Sequence, residues 1–400
     1  LQVTTSSTEL QALTDALLYL VEYPYDCSEQ IASRLLAVAA LRDVLEAFDA
    51  EGLPPREELE EAVQRDIGAL VARQQVNGGL SLWGRDDQDW PYPSVHAAHA
   101  LARAHAAGFE VPEEARRRSI TYLATIDSHI PSWYSAESRW AILSYAQYVR
   151  LLLGEEEPTK ARKLYDRQGT RGLSLEALGW LLPVLDAAGD DDRTREILLH
   201  LEASAVETAA GAHFVTGYDD GAYVLLHSDR RVDGIVLDAL IVVKPESDLI
   251  PKVVRGLLAH RRQGRWSNTQ ENSFVLAAMH SYFEVFESEE PDFVARVWLG
   301  EDYAGDHSFE GYSTERARID IPLGVLTDPG GEKELLIQKD GDAGRLYYRI
   351  GLDYAPKSLV LEPADSGFTV LREYESIDDP RDVSRDEDGI WHNRAGSRGR

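Results

Sequence analysis

The chain has 400 residues, with 69 acidic side chains against 41 basic ones and a formal net charge of −28. This charge argues against nucleic acid as a partner, because a nucleic-acid binder needs a basic face, and against direct membrane contact, which usually needs a polybasic stretch. The apolar fraction of 44% and the charged fraction of 28% are typical of a globular protein of two or three domains.

The single cysteine, Cys27, excludes an intrachain disulfide and a cysteine-cluster metal site. The first residues contain no basic segment followed by an apolar one, so no signal peptide is visible. No window approaches the roughly 20 uninterrupted apolar residues that span a bilayer. The start at Leu1 rather than Met suggests a piece cut from a longer protein.

Apolar residues recur at helical spacing from about residue 8 to residue 286, in segments closed by Pro, Gly or acidic loops. This periodicity predicts twelve helices. They cover residues 8–21, 28–50, 56–75, 94–107, 112–126, 136–153, 158–168, 173–188, 190–206, 230–243, 247–261 and 268–286. A small β-hairpin is predicted over residues 212–226, which alternate around glycines.

Two of the turns that open helices resemble each other. One runs from Gln74 to Trp83 and the other from Arg262 to Ser267, and each combines Gln, Gly and Trp. Such a repeat suits a closed ring of helix pairs with the tryptophan wedged between helix ends. Twelve helices in antiparallel pairs predict an (α/α)6 toroid.

After about Pro291 the apolar residues alternate with polar ones, which is typical of half-buried strands. The pattern predicts strands over residues 293–299, 317–322, 334–338, 345–354 and 367–374. The predicted fold class is therefore mainly α plus β, with a helical toroid followed by an antiparallel, sandwich-like β region. Residues 391–400 end without a closing strand, so the last sheet looks truncated.

The segment from Tyr23 to Gln30 is the candidate site. Asp26 is predicted to be the N-cap of a helix, with Glu29 completing a capping box. Cys27 then lies in the first helical turn, where the backbone N–H groups and the helix dipole favour a thiolate and lower the pKa of the thiol. Gln30 follows one turn later on the same face.

A nucleophilic sulfur that faces a carboxamide can expel ammonia and leave an internal thioester. An amine or hydroxyl that attacks the Gln30 carbonyl then becomes covalently bound, and Cys27 departs as a thiolate. Tyr23, Pro24 and Tyr25 would keep water away from this acyl donor. The alternative is a buried, inert cysteine at a helix start, with Glu29 as a capping residue and Gln30 solvated.

The stretch Cys27-Ser28-Glu29-Gln30 resembles the Cys-x-Glu-Gln thioester signature of the alpha-2-macroglobulin and complement family. The wider Tyr-Pro-Tyr-Asp-Cys-Ser-Glu-Gln-Ile-Ala-Ser-Arg is similar to its bacterial branch. Further resemblances lie in Gly-Gly-Leu-Ser-Leu-Trp, in Arg265-Trp-Ser-Asn-Thr-Gln-Glu-Asn272 and in Gly344-Arg-Leu-Tyr-Tyr-Arg-Ile-Gly-Leu-Asp-Tyr-Ala-Pro356. Together these stretches cover most of the chain in the expected order.

The resemblance implies a thioester domain of (α/α)6 toroid type, inserted into a CUB-type β-sandwich and followed by a macroglobulin β domain. The corresponding division is residues 1–289 for the toroid, 290–355 for the CUB-like segment and 356–400 for the start of a truncated macroglobulin-like domain. The neighbouring macroglobulin domains of the full-length chain would be partners of this part.

The resemblance also implies a protease inhibitor rather than an enzyme with turnover. Cys27 and Gln30 would form the thioester, supported by Glu29, Asp26, Tyr23 and Tyr25, and lysine amines of attacking proteases would be acylated. The expected location is periplasmic or extracytoplasmic, with membrane anchoring through a more N-terminal part.

Two features differ from the family pattern. The residue before the cysteine is Asp26 instead of the usual glycine. The histidine that complement-type members use for transfer to hydroxyls cannot be placed, and His96, His129 and His213 are loose candidates. Without such a histidine, amine targets are favoured over hydroxyls.

An (α/α)6 enzyme of terpene-cyclase or glycan-active type is the alternative function. Its acidic groups would be Asp86, Asp87 and Asp89, with Asp219 and Asp220 as a second pair. We expect no cofactor and no metal, since His96 and His99 have helical i, i+3 spacing but lack the Glu of a zincin pattern.

Overall fold

The computed structural model describes residues 1–10, 13–48, 52, 54–85, 88–155, 157–218, 220–327, 332–353, 371–387 and 389–400. The chain divides into two units, Leu1–Gly351 and Leu352–Arg400. The fold is mixed helix and sheet, as predicted, and none of the described helices is long and apolar enough to cross a bilayer.

All twelve predicted helices are found in the larger unit, which confirms the periodicity argument. They are α1 Thr14–Val21, α2 Ser28–Ala47, α3 Arg56–Arg73, α4 Pro91–Ala106, α5 Glu113–Ala124, α6 Ala136–Leu152, α7 Pro158–Gly172, α8 Leu175–Ala187, α9 Asp191–Ser204, α10 Asp229–Val243, α11 Leu249–Ala259 and α12 Thr269–Tyr282. A short helix, α13 Leu323–Thr327, was not predicted.

The even-numbered helices form the inside of the larger unit. They contact one another in a closed cycle, from α2 to α4, α6, α8, α10 and α12 and back to α2. Helix α4 illustrates this inner position. Its alanine-rich sequence PYPSVHAAHALARAHA is buried on nearly every side, as expected of a helix without a solvated face. Odd-numbered helices such as α3 and α5 bury one stripe and expose their charged residues.

Among the described residues of the larger unit, the strands form two three-stranded antiparallel sheets and one hairpin. They are β1 Gln2–Ser6, β2 Ala205–Thr208, β3 Gly211–Phe214, β4 Asp292–Leu299, β5 Asp302–Glu310, β6 Arg316–Asp320, β7 Leu335–Ala343 and β8 Tyr347–Gly351. The sheet orders are β6-β1-β8 and β5-β4-β7, and β2 pairs with β3. Val3 and Ile319 from one sheet share a buried cluster with Val297 and Leu299 from the other.

Strand β1 was not predicted, and it determines the topology. It lies between β6 and β8, with Val3 opposite Ile319 and Ile350, so the first residues pair with strands that follow all twelve long helices. The closed cycle of even-numbered helices, called the helical ring below, therefore lies in sequence between strands of one sheet. Five residues with two threonines and one valine carry too little periodicity to signal a strand.

Several strand predictions need correction. The hairpin predicted over 212–226 lies earlier, at β2 and β3, and residues Asp220–Leu225 form a 3₁₀ helix. Strand β5 was missed because its exposed, polar sequence DYAGDHSFE hides the alternation. Of the predicted strand 367–374, residues 367–370 lie outside the described residues and residues 371–374 are not in a strand.

The smaller unit, Leu352–Arg400, contains one two-stranded antiparallel sheet among its described residues. Its strands are β9 Val383–Arg385 and β10 Trp391–Asn393. Arginine side chains hold its loops, for instance Arg398 with Asp378 and Arg400 with Glu375. Such exposed ion pairs contribute little stability each.

Substitution of two helical glycines by alanine should change the free energy of unfolding in opposite directions. A Cβ at Gly256 in α11 would lie 2.0 Å from the Ala212 carbonyl oxygen of β3, whereas a Cβ at Gly68 in α3 meets nothing within 4 Å. We expect Gly256→Ala to destabilise the protein by about 1–3 kcal/mol, because the backbones must move apart. Gly68→Ala should stabilise it by about 0.5–1 kcal/mol. Denaturant unfolding of both variants measures this, and equal signs would contradict the close packing of α11 on β3.

Candidate functional site

Cys27 and Gln30 lie together at the start of α2. The Cys27 carbonyl accepts the first helical hydrogen bond, from the Ile31 N–H at 3.0 Å, so Cys27 is the N-cap residue. The Cys27 backbone N–H donates to the Gln30 side-chain oxygen Oε1 at 2.9 Å. This is the backward bond of a capping box, and it folds the Gln30 carboxamide over the residue that bears the thiol.

The predicted cap is wrong by one residue. Helix α2 begins at Ser28, and the capping pair is Cys27 with Gln30 rather than Asp26 with Glu29. Asp26 is exposed and pairs with Arg34 at 3.0 Å, because Arg34 also binds Asp66 of α3 and brings its guanidinium to the helix start. The Glu29 side chain is buried and contacts helix α12.

Two further contacts hold the helix start against the turn that follows α3. The Ser28 N–H donates to the Leu82 carbonyl at 2.9 Å, and its hydroxyl donates to the Ser81 carbonyl at 2.6 Å. Arg73, at the end of α3, donates to the Asp26 carbonyl at 2.7 Å. The turn itself requires glycine at position 78, where φ is +93° and a Cβ would lie 2.0 Å from the Arg118 carbonyl oxygen.

The Glu29 carboxylate connects α2 to α12. Its Oε1 accepts hydrogen bonds from the Thr269 hydroxyl at 2.8 Å, the Gln270 amide at 2.6 Å and the Ser33 hydroxyl at 2.8 Å. Glu29 is only 5% exposed, so these donors replace the water that a buried carboxylate has lost. Sequence reasoning missed Thr269 and Gln270 as site residues, although both lie in the stretch 265–272 that carries part of the family resemblance.

A line of buried hydrogen bonds continues from Glu29 into the ring. Since the Ser33 hydroxyl proton goes to Glu29, the bond of 2.9 Å between Ser33 Oγ and His96 Nε2 needs the proton on His96 Nε2. His96 Nδ1 then accepts from the Tyr145 hydroxyl at 3.1 Å. His99 Nδ1 donates to the same hydroxyl at 2.9 Å. Both histidines are neutral in this scheme.

Electrostatics agree with neutral histidines. Burial lowers the pKa of His96 to about 3, and the positive charge of Arg231 adds to this effect. Burial and the nearby Arg103 also hold the pKa of His99 well below its ordinary value. Hence neither imidazole is a ready proton acceptor. Both side chains are buried among the even-numbered helices.

The Cys27 thiol is protected rather than activated, contrary to the expectation of a lowered pKa. Its side chain is 9% exposed. Burial raises the pKa of the Cys27 thiol and the Glu29 carboxylate raises it further, while the Gln30 backbone N–H and Arg73 act in the opposite direction. The helix start does stabilise a thiolate, but desolvation has the larger effect.

The remaining predicted site residues surround the helix start loosely. Tyr23 is half-buried and Tyr25 is 61% exposed, and their rings meet edge to face at 6.0 Å. The two tryptophans of the repeated turn differ: Trp266 is buried with its indole N–H on the Leu257 carbonyl, whereas Trp83 is 60% exposed. The prediction of a wedged tryptophan is therefore wrong for Trp83.

The other histidine candidates contact different residues. His129 stacks on Tyr122 at 4.2 Å between ring centroids, and His213 lies beside His260 at 5.6 Å. Of the three candidates, His96 is linked to the segment 26–30, through Ser33.

The acidic candidates give no assembled site in the described part of the chain. Asp86, Asp87 and Asp219 lie outside the described residues. Asp89 accepts the Tyr122 hydroxyl at 2.7 Å, and Asp220 begins the 3₁₀ helix. Within the described residues no group of three or more His, Cys, Asp and Glu side chains is arranged to hold a metal ion.

Comparison with solved structures shows the type of fold. The chain is similar to a Salmonella alpha-2-macroglobulin that was reacted with methylamine, with a TM-score of 0.61, 22% identity and coverage of 87% of this chain and 21% of that one. It is also similar to Escherichia coli alpha-2-macroglobulin activated by porcine elastase, with a TM-score of 0.63, 20% identity and coverage of 87% and 29%. These likenesses show an alpha-2-macroglobulin type of fold.

Sequence relatives add the family. The alpha-2-macroglobulin homolog of a Nostoc species is 31% identical over 82% of this chain and 17% of that protein. The chain belongs to the bacterial alpha-2-macroglobulin family. Another relative, circularly permutated Ras protein 2 of Dictyostelium discoideum, is 26% identical over 92% of this chain but only 11% of its own length. No protein-family model matches the sequence.

The chain thus spans less than a fifth of each of these two curated relatives, 17% and 11%. The sequence contains no Gly-x-x-x-x-Gly-Lys-Ser/Thr motif.

The Ser33 hydroxyl is hydrogen-bonded to both Glu29 and His96, so its removal should lower the stability of the protein. Ser33→Ala leaves the His96 Nε2–H without its acceptor and takes one donor from the buried Glu29 carboxylate. We expect a loss of about 2 kcal/mol in the free energy of unfolding. The control is Ser128→Ala, whose exposed hydroxyl bonds to the Thr125 carbonyl and should cost less than about 0.5 kcal/mol. Urea denaturation measures both, and equal losses would contradict the buried network.

The Cys27 thiol, when free, should react slowly in the folded protein. Because burial raises its pKa, the thiolate fraction at a given pH is smaller than in the unfolded chain. We expect iodoacetamide to alkylate native protein more slowly than urea-unfolded protein, and the rate to rise at higher pH. The pH profile of alkylation, measured by mass spectrometry, checks this. A native profile displaced to lower pH would contradict the dominance of burial.

Proposed function

We propose that Cys27 and Gln30 form an internal thioester and that this chain is the acylating part of a protease inhibitor. The observation that carries the proposal is the bond of 2.9 Å from the Cys27 N–H to Gln30 Oε1. It holds the side-chain amide carbon beside the residue whose sulfur must attack it. Proximity of this kind lowers the entropic part of the barrier.

The chemistry balances without a cofactor. The Cys27 thiol adds to the Gln30 side-chain carbon, the carbon–nitrogen bond breaks, and ammonia leaves with the thiol proton. An amine later attacks the same carbon, an amide forms, and the thiol is released. In both steps negative charge develops on Oε1, where the Cys27 N–H already donates, so this backbone group serves as an oxyanion donor.

The burial that raises the pKa of the Cys27 thiol also suits a reagent that reacts once. A thioester that waits for its target must avoid water, and the buried Cys27 with its half-buried neighbour Gln30 supports such protection. The neutral, enclosed His96 is a poor base for a hydroxyl, which agrees with amines such as lysine as acceptors. Tyr23, Tyr25 and Asp26 are proposed to shield and orient the segment.

Relatives support the choice of target. One similar structure is of a protein that was reacted with methylamine, a small amine. Another is of a protein that was activated by elastase, a protease. By analogy, we infer that proteases are the partners of this chain and that their lysine amines are acylated. An extracytoplasmic location is part of the same inference, and membrane anchoring stays a prediction.

We also propose a domain assignment. The closed cycle of even-numbered helices would be the inner ring of an (α/α)6 toroid, and β1 with β4 to β8 would form the CUB-type sandwich into which it is inserted. This differs from the predicted division at residues 289 and 290 in placing β1 with the sandwich. Residues 356–400 as the start of a macroglobulin-like domain remain a prediction.

The test is the intact mass of freshly prepared protein. We expect the wild type to lack the mass of one ammonia, and methylamine to add one methylamine and release one titratable thiol. Cys27→Ala and Gln30→Glu should show no deficit and no methylamine adduct, because one lacks the sulfur and the other lacks an amide nitrogen to expel.

The matched control is Gln64→Glu, which makes the same change at an exposed glutamine of α3 and should behave as wild type. A full-mass wild type whose thiol titrates from the start in denaturant would refute the thioester. Retention of the deficit in Gln30→Glu would refute the choice of Gln30.

A further inference from the structure

A cleft between the sheet β6-β1-β8 and helix α11 gathers arginines in an otherwise acidic chain. It holds about 450 Å³, and Arg255, Arg261, Arg316 and Arg349 line it together with Glu9. The chain as a whole has a net charge of −28. Four guanidinium groups around one cleft therefore form a local exception.

The strand register places two of these arginines on one face. Thr4 of β1 lies opposite Arg349 of β8, and Ser6 lies opposite Arg316 of β6. Directly opposed residues point to the same side of a sheet, and residues two apart on one strand do so as well. Arg316 and Arg349 thus flank β1 on the same face, and Arg255 approaches from α11.

Charge compensation in the cleft is partial. In the part of the chain that the structure describes, no carboxylate forms an ion pair with Arg255, Arg316 or Arg349. Glu9 interacts electrostatically with Arg255 and Arg316, and it is a carboxylate among the described residues that line the cleft. Burial lowers the pKa of Arg261, while the nearby carboxylate of Asp15 raises it and the charge of Arg316 lowers it, so Arg261 and Arg316 are close enough to repel each other.

We propose that this cleft binds a polyvalent oxyanion, carried as phosphate or carboxylate groups of a small molecule. Guanidinium groups from β6, β8 and α11 surround a space of suitable size, and each presents a planar set of donors that matches such oxygens. The Thr4 hydroxyl lies on the same face as a further donor. A ligand with two or more charges relieves the repulsion among the arginines, which a single chloride does less well. This site is separate from Cys27 and Gln30, so the proposal does not depend on the thioester.

The experiment is calorimetric titration of the full chain with inorganic pyrophosphate at constant ionic strength. We expect one binding site, and we expect Arg255→Gln/Arg316→Gln to weaken binding at least about tenfold, because two charge-assisted contacts are lost. Arg349→Gln alone provides a milder second variant at an exposed position. The control is Arg195→Gln, which removes the same charge from α9, where Arg195 pairs with Asp192, and should change affinity less than about twofold.

A parallel titration with citrate distinguishes the source of the oxyanion. Binding of pyrophosphate alone indicates a phosphate ligand, and binding of both indicates that carboxylates suffice. Two results would overturn the proposal. One is the absence of heat from both anions up to millimolar concentration, and the other is an affinity that stays unchanged in folded Arg255→Gln/Arg316→Gln and Arg349→Gln. Circular dichroism of each variant verifies folding.

Discussion

The Glu29 carboxylate is the contact on which the arrangement of the larger unit depends. It lies at the start of α2 and accepts hydrogen bonds from Thr269 and Gln270 at the start of α12, 240 and 241 residues further along the chain. These helices are the first and last members of the inner cycle, so the bond joins the two ends of the ring. A buried carboxylate without such donors would be strongly unfavourable, and this penalty makes the closure specific.

The same contact fixes the candidate site. With Glu29 directed into the ring, the neighbouring Gln30 turns back to the Cys27 N–H, and the helix start becomes a rigid holder for thiol and carboxamide. Ser28 and Arg73 attach this start to the turn after α3. The proposed reactivity and the stability therefore depend on the same helix start, because Glu29, which closes the ring, lies between Cys27 and Gln30 in the sequence. Burial of this helix start raises the pKa of the Cys27 thiol.

Charge is distributed unevenly over this framework. Acidic residues of odd-numbered helices, such as Glu57 and Glu58 in α3 and Asp191 and Asp192 in α9, are exposed, and water solvates them at little cost. The arginines of the cleft beside β1 lie where the helical ring meets the sheet. Arg316 and Arg349 belong to different strands and flank the same strand because β1 inserts between β6 and β8.

The sequence by itself determined the helices, the strands β4, β6, β7 and β8, and the candidate residues. Helical periodicity is local, since residues three and four apart share a face, and all twelve helices followed from it. The Cys-x-Glu-Gln spacing identified Cys27 and Gln30 for the same reason. Only the tertiary structure decided which residue caps α2, that Glu29 binds Thr269 and Gln270, and that β1 pairs with β6 and β8. It also reversed the expected pKa of Cys27, because that value depends on burial and on charges brought in from distant helices, and no local pattern contains that information.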